Sequence, residues 1–387
     1  MWSIFWMGDG FVKYSSPSFA RVFYRHYSID LLTGQRSDIK IDHFLERLES
    51  DHGSLEEIRQ KRNYVVHLFY ELGEILLDHS GPGADDPLAI EIQYKEKKPW
   101  SLIENIPSLE LKAVGAVSSR DYKAAFDKGY EHLLRGDIYQ FNLTFPFSYR
   151  WKKNHSAKEI CSRLWREKES RSPYAHATYI PKLGKLYLSN SPECLFQGDL
   201  KGPQASLWTM PIKGTLPRGE DWRESFKKLK SSKKDQGELN MITDLLRNDL
   251  TKIDLQVGRV IKKCAPLVVP KIIHQYSLIE TKLRESTSLL KIVKAMFPGG
   301  SVTGAPKKNV VKILSSLEKE KRGFYCGSTI LIDRDLFAAS INIRSGDFCM
   351  DDKMMRYHAG GGITLLSKCE EEFLEMHLKK DSFVRNL

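Results

Sequence analysis

The N-terminal run MWSIFWMGDGFVKYSS crowds aromatic and aliphatic side chains into short stretches. It lacks the basic start and small-residue cleavage site of a secretory leader, so it reads as strand. Residues 41–79 are charged, with Leu45, Leu48, Val65, Val66, Leu68, Phe69 and Leu72 at helical spacing, which predicts a helical middle to this first third. GPGADDP at 81–87 breaks that pattern, and LAIEIQYKE resumes a strand-like alternation. The texture changes at Ser118. Ser118 and Asp121 have capping-box spacing, Tyr122, Ala125, Phe126, Tyr130, Leu133 and Leu134 follow at helical intervals, and Gly136 ends the helix. Residues 138–149 are aromatic and β-branched, which predicts a strand, and further strands are expected near 174–196. A helix is expected over 238–249, and two more flank a turn at 297–306. Strand-like runs at 325–332, 336–344 and 354–359 precede a glycine triplet and a C-terminal helix. The pattern alone supports a mixed α and β chain. Residues 1–118 show nothing that points to chemistry, and every chemical signal falls in 119–387.

Composition narrows the picture without deciding it. The 387 residues include 41% apolar and 11% aromatic side chains, ample for a buried core. No apolar run approaches the length needed to span a bilayer, so no membrane association is expected. The six cysteines (161, 194, 264, 326, 349, 369) follow no metal-ligand spacing and read as reduced thiols of a cytoplasmic protein. The net charge of +11 raises a nucleic-acid partner. The basic clusters at 227–234 and 319–322 are short, have acids within or beside them and carry no recognition motif, so no nucleic acid is expected. They fit solvated helix faces, and a basic surface also suits a dianionic small substrate.

Three constellations carry possible chemistry. Asp235 with Glu238, and Glu372 with Glu375, sit three apart on predicted helices, so each pair shares a face. Two such pairs converging would suit Mg²⁺, which takes oxygen ligands and keeps water and substrate oxygens in its shell. Taken alone, either pair also fits a solvated helix face. The turns at Gly360-Gly361-Gly362 and 297–307 offer backbone N–H groups for a carboxylate or phosphate, but neither matches a nucleotide-binding fingerprint, and both also fit tight turns with no ligand. Lys213 lies in the apolar setting Pro211-Ile212-Lys213-Gly214-Thr215. Desolvation disfavours an ammonium and makes a neutral amine available as a nucleophile, although such a lysine is also commonly structural.

Eight strings in order tie these features together: GDIYQFNLT (136–144), SPECLF (191–196), MPIKGTLPRG (210–219), KDQGELNMITDLLRNDL (234–250), FPGGSVTGAPK (297–307), RGFYCGS (322–328), INIRS (341–345) and AGGGI (359–363). Over 119–387 the chain resembles the chorismate-utilising enzymes, a family of anthranilate, aminodeoxychorismate, isochorismate and salicylate synthases. The resemblance implies one α/β (α+β) unit of the anthranilate-synthase-like kind, with large antiparallel sheets packed together and helices outside. Residues 1–118 match only in position, as the variable N-terminal part of that fold. It implies Mg²⁺ as cofactor, with Glu238 and Glu375 as direct ligands and Asp235 and Glu372 acting through water. Tyr325, Arg344 and the backbone of Gly360, Gly361 and Gly362 are implied to hold the enolpyruvyl carboxylate, which an arginine fork matches. Thr303 and Gly304 would line the ring-carboxylate side, with Thr215 and His274 also in the site. Glu193 is implied as the general acid.

Two positions discriminate within the family. Isochorismate and salicylate synthases carry a lysine base where this chain has Gln140. Anthranilate synthases share the glutamine but have alanine where this chain has Lys213, and PIKGT resembles aminodeoxychorismate synthases. That branch implies a covalent Lys213 adduct and formation of 4-amino-4-deoxychorismate for 4-aminobenzoate and folate. It also implies a separate glutamine amidotransferase subunit supplying ammonia and a downstream lyase acting on the product. The chain departs from the family in having GELNMI for ENLMI and a longer connection between Glu193 and Lys213.

Overall fold

Strand pairing runs through the whole chain. The computed structural model describes residues 1–79, 83–201, 204–254, 257–268, 272–334 and 336–387; Gly81 and Pro82 of the GPGADDP segment lie outside them. Every pairing among the described residues is antiparallel. One arm of the sheet runs Lys112–Val114, Gln140–Arg150, Met354–Ile363, Ser345–Cys349, Lys185–Ser191, Tyr174–Ile180 and Trp2–Trp6. It continues through Phe11–Phe23, Ala89–Trp100, Tyr64–Leu68, Ser328–Asp333, Leu336–Ile341, Cys194–Asp199 and Ser206–Thr209 to Ile272–Lys282. Ile212–Pro217 and Arg259–Val268 also pair with Ile272–Lys282. The texture change at 118/119 is therefore no break in the sheet.

Three apolar clusters hold the layers. One joins strands such as Phe141, Leu186 and Tyr357 to the helices carrying Phe126, Ile160 and Met376. A second joins Val66, Phe196 and Ile279 to helices carrying Phe44, Ile242 and Val293. A third, with Phe5, Val22, Ile92, Tyr187 and Leu331, packs strand against strand between them. This is a mixed α and β fold with large antiparallel sheet surfaces packed together and helices outside. All six cysteines are free.

Local signals behave as their chemistry requires, with four differences. Ser118 caps the helix Ser119–Leu134 by accepting from the Arg120 and Asp121 N–H groups, and Gly136 follows at φ 77°. The expected helical middle holds helices at Ile41–Ser50, Leu55–Gln60 and Leu72–Leu76, but Val65, Val66 and Leu68 form a strand. That strand is buried on both faces between two neighbours, so its run of apolar residues mimics a helix face and only its β-branched content argues otherwise. The helix expected over 238–249 extends to Lys233–Asp254. The turn 297–306 contains a helical turn of its own, Gly300–Thr303. The glycine triplet is not a turn: it forms the last part of strand Met354–Ile363, where a Cβ on Gly360 would run into the Leu143 carbonyl.

Two buried cations fix the turn 297–306. Lys307 Nζ lies 2.8 Å from Asp249 Oδ2 and donates to the Ala295 and Met296 carbonyls at 3.4 and 3.3 Å, at the end of helix Leu289–Met296. Arg322 donates to the Val302 carbonyl at 2.8 Å and the Asn142 carbonyl at 2.6 Å while paired with Glu318. Among the described residues, Lys307→Met would leave the fully buried Asp249 carboxylate with only the exposed Lys252 at 3.0 Å. It is expected to cost about 3 kcal/mol in urea denaturation at pH 7, whereas Lys252→Met should cost no more than about 1 kcal/mol.

Candidate active site

A cavity of about 540 Å³ opens where the strands Ile212–Pro217 and Met354–Ile363 face the helices Lys233–Asp254 and Cys369–Val384. Larger in volume but more open, a hollow of about 750 Å³ over Trp2, Trp151 and Tyr179 contains none of the candidate residues.

Lys213 reaches the cavity because its strand is irregular. The register against Ile272–Lys282 shifts between Lys213 and Thr215, and Gly214 takes φ 72°, a conformation that suits glycine. A Cβ there would lie 3.2 Å from the Asp235 side chain, so Gly214 also lets the strand press against the acidic helix. The Lys213 side chain is 18% exposed, and its Nζ lies 4.0 Å from Glu238 Oε2. His274 pairs with Thr215 in the ladder, and its Nδ1 lies 2.8 Å from Thr215 Oγ1. Burial pushes the His274 pKa down, the Gly214 carbonyl opposes this, and Arg344 adds to it.

Glu193 sits between two strands, its backbone N–H donating to Ser191 Oγ and its carbonyl accepting from Ile341 N. It is 9% exposed. Burial raises its pKa above the ordinary 4.5, with Ser301 and Lys213 pulling the other way. Both Glu193 and Lys213 line the cavity, and a raised pKa favours the protonated form of a carboxyl.

The four acidic candidates line the same cavity. Burial raises the Glu238 pKa against Lys213 and Lys234. For Glu375 burial acts in the same sense, but Lys379 at 2.7 Å prevails and holds it below its ordinary value. Glu372 accepts from Ser367 Oγ at 2.8 Å and faces Lys234 at 3.5 Å. Gly361 leaves open space beside them: a Cβ there would come within 3.1 Å of Glu372 Oε2 and 4.0 Å of Glu375 Oε1. Among the described residues no three His, Cys, Asp or Glu side chains form a preassembled metal cage. The all-oxygen donor set and the cradle at Gly361 fit Mg²⁺ in its common mode, held by one or two carboxylates with water and substrate oxygens completing the shell.

The far wall carries Tyr325, Arg344 and the three glycines. Arg344 adopts φ 50°, a left-handed conformation that bulky residues take at some energetic cost and that clusters at ligand sites. Tyr325 stacks on His358 at 5.5 Å. Of the predicted residues, Gln140, Thr303 and Gly304 do not line the cavity. Gln140 is fully buried with its amide toward Asn142, Thr303 bonds back to the Gly299 carbonyl, and Gly304 pairs with Phe141. Asn142, Ser301, Lys234 and Lys379 take places on the wall that sequence reasoning did not assign. For Asn142 a signal was present, since it lies two residues from Gln140 on one strand and so shares its face.

Residues 85–385 match the chorismate binding enzyme family. Aminodeoxychorismate synthase component 1 of Escherichia coli is 32% identical over 70% of this chain, and the match spans 58% of that protein's length. Anthranilate synthase component 1 of Aeropyrum pernix is 29% identical over 81% of this chain and 69% of its own. In structure, anthranilate synthase component I from Streptococcus pneumoniae superposes with a TM-score of 0.77 at 20% identity, covering 97% of this chain and 92% of the other. No helix among the described residues is long and apolar enough to cross a membrane.

The raised pKa of Glu193 has a consequence for stability. The fold prefers the protonated acid, so ionisation costs stability above the raised pKa and costs nothing below the ordinary 4.5. Glu193→Gln is expected to raise the urea midpoint at pH 7 and to change it much less at pH 4. A gain confined to pH 4 would contradict the assignment.

Proposed function

The chain belongs to the chorismate binding enzymes, and on that footing we propose that it aminates chorismate at ring carbon 4, as component 1 of an aminodeoxychorismate synthase. The observation that carries this reading is the placement of Lys213 in one cavity with the buried acid Glu193. A lysine there supplies an amine that the anthranilate synthase branch lacks.

In this reading Arg344, Tyr325 and the backbone at Gly360 to Gly362 hold the enolpyruvyl carboxylate, and the guanidinium fork gives that contact its direction. Mg²⁺, when bound through Glu238 and Glu375, would anchor the ring carboxylate and offset its charge. Lys213 Nζ, as the neutral amine, bonds to ring carbon 2 while both conjugated ring double bonds shift toward carbon 4. The 4-hydroxyl leaves as water with the proton from Glu193. Ammonia then bonds to carbon 4, both double bonds shift back, the lysine amine departs and the new ammonium returns a proton to Glu193. The sum is chorismate plus ammonia giving 4-amino-4-deoxychorismate plus water. Ammonia would come from a separate glutamine amidotransferase subunit, and a lyase acting on the product would complete 4-aminobenzoate. A soluble chain in the cytoplasm suits that route.

Incubation with chorismate, Mg²⁺ and ammonium, followed by product identification, tests the reading. The expected product becomes 4-aminobenzoate only when an aminodeoxychorismate lyase is added. Fluorescent anthranilate formed without lyase would replace this reading with anthranilate synthase. Intact mass should detect a chorismate-derived adduct that Lys213→Ala abolishes, and Glu193→Gln should slow amination by roughly 10²–10⁴-fold.

A further inference from the structure

Three lysines stand among the four carboxylates, and this arrangement decides what a cation meets there. Lys213 faces Glu238 at 4.0 Å, Lys234 faces Glu372 at 3.5 Å and Lys379 faces Glu375 at 2.7 Å. The three are not held alike. Lys379 also donates to the Gly360 carbonyl at 2.9 Å, which ties it to the strand. Lys213 is largely buried on its bulge. Lys234 projects from the first turn of helix Lys233–Asp254, one turn before Glu238, and its side chain is 42% exposed. It interacts with Glu372, Glu238 and Glu375 together, and these outweigh its partial burial in favouring the ammonium.

Resting on the metal site described above, we propose that Lys234 is a built-in counter-cation of Glu238, Glu372 and Glu375. A divalent ion must displace it to bind, so Lys234 weakens the affinity of the substrate-free site for metal. Two independent features carry this. The ammonium lies 3.5 Å from Glu372 Oε1 on the cavity wall it shares with Glu238 and Glu375, and a dication held by these carboxylates would be repelled by it. Lys234 also stands one turn before Glu238 on helix Lys233–Asp254, so the two share a helix face on the cavity wall. The exposed side chain has solvent to move into, whereas Lys379 would have to give up a backbone carbonyl.

Mn²⁺ is the probe, and its binding to the full chain without chorismate is read from loss of the free-ion electron paramagnetic resonance signal. Lys234→Met is expected to bind Mn²⁺ at least roughly tenfold more tightly than the natural chain. Lys234→Arg, which keeps the charge, should bind as weakly as the natural chain, and Glu238→Gln should weaken binding in either background. Equal affinity of Lys234→Met and the natural chain, with Glu238→Gln still weakening both, would keep the metal site and overturn the role of Lys234. Tighter binding by Lys234→Arg as well would assign the effect to side-chain bulk and also overturn it. No Mn²⁺ binding by any of these proteins would remove the metal reading and this inference with it.

Discussion

Repulsion between like charges in a partly buried space governs the centre of this molecule. Asp235, Glu238, Glu372 and Glu375 arrive in one cavity from two helices, each helix contributing two carboxylates at a spacing of three. Carboxylates out of water are costly unless cations or hydrogen bonds compensate them. Lys213, Lys234 and Lys379 supply that compensation here, as do the Ser367 hydroxyl and residual solvent. Other features follow from having to deliver these groups. Gly214 lets a strand press against Asp235, Gly361 leaves space beside Glu372 and Glu375, and the buried Lys307–Asp249 pair joins the acidic helix to the turn 297–306.

The same electrostatics divide the work between acid and base. Glu193 is the carboxyl set apart from the cluster, and burial raises its pKa above the ordinary value against Ser301 and Lys213. Glu375 has its own lysine at 2.7 Å and stays a better anion. Two carboxyl environments within one cavity thus shift their pKa values in opposite directions, the separation that the proposed acid and metal-holding roles draw on.

Much of the fold was legible wherever a local rule acts alone. The cap at Ser118, the glycine after that helix and the alternating strand Ala89–Trp100 are decided within a few residues. Val65, Val66 and Leu68 were misread because a strand buried on both faces has no polar alternation to betray it, and that burial comes from partners far along the chain. The site divides in the same way. Lys213, Glu193 and the acidic pairs were legible because motifs name them. Lys234 and Lys379 were not, because a lysine on a helix looks like surface until the opposing carboxylates are in place. Gln140 marks a further limit: the motif gave its identity, but its burial behind Asn142 is set by the third dimension.

The position of Gln140 bears on which nucleophile the cavity can activate. An amide cannot accept a proton from water, and this one is turned toward Asn142. The Asn142 amide is itself committed, its Nδ2 donating to the Ser301 carbonyl and its Oδ1 accepting from Gln140 Nε2. Asn142 thus stands on the cavity wall with Gln140 behind it, both amides fixed by neighbours. The amine of Lys213 enters from a different strand, at an irregularity between Lys213 and Thr215. The aminating proposal rests on that contrast: Lys213 shares the cavity with Glu193, whereas Gln140 and Asn142 offer amides held by their neighbours.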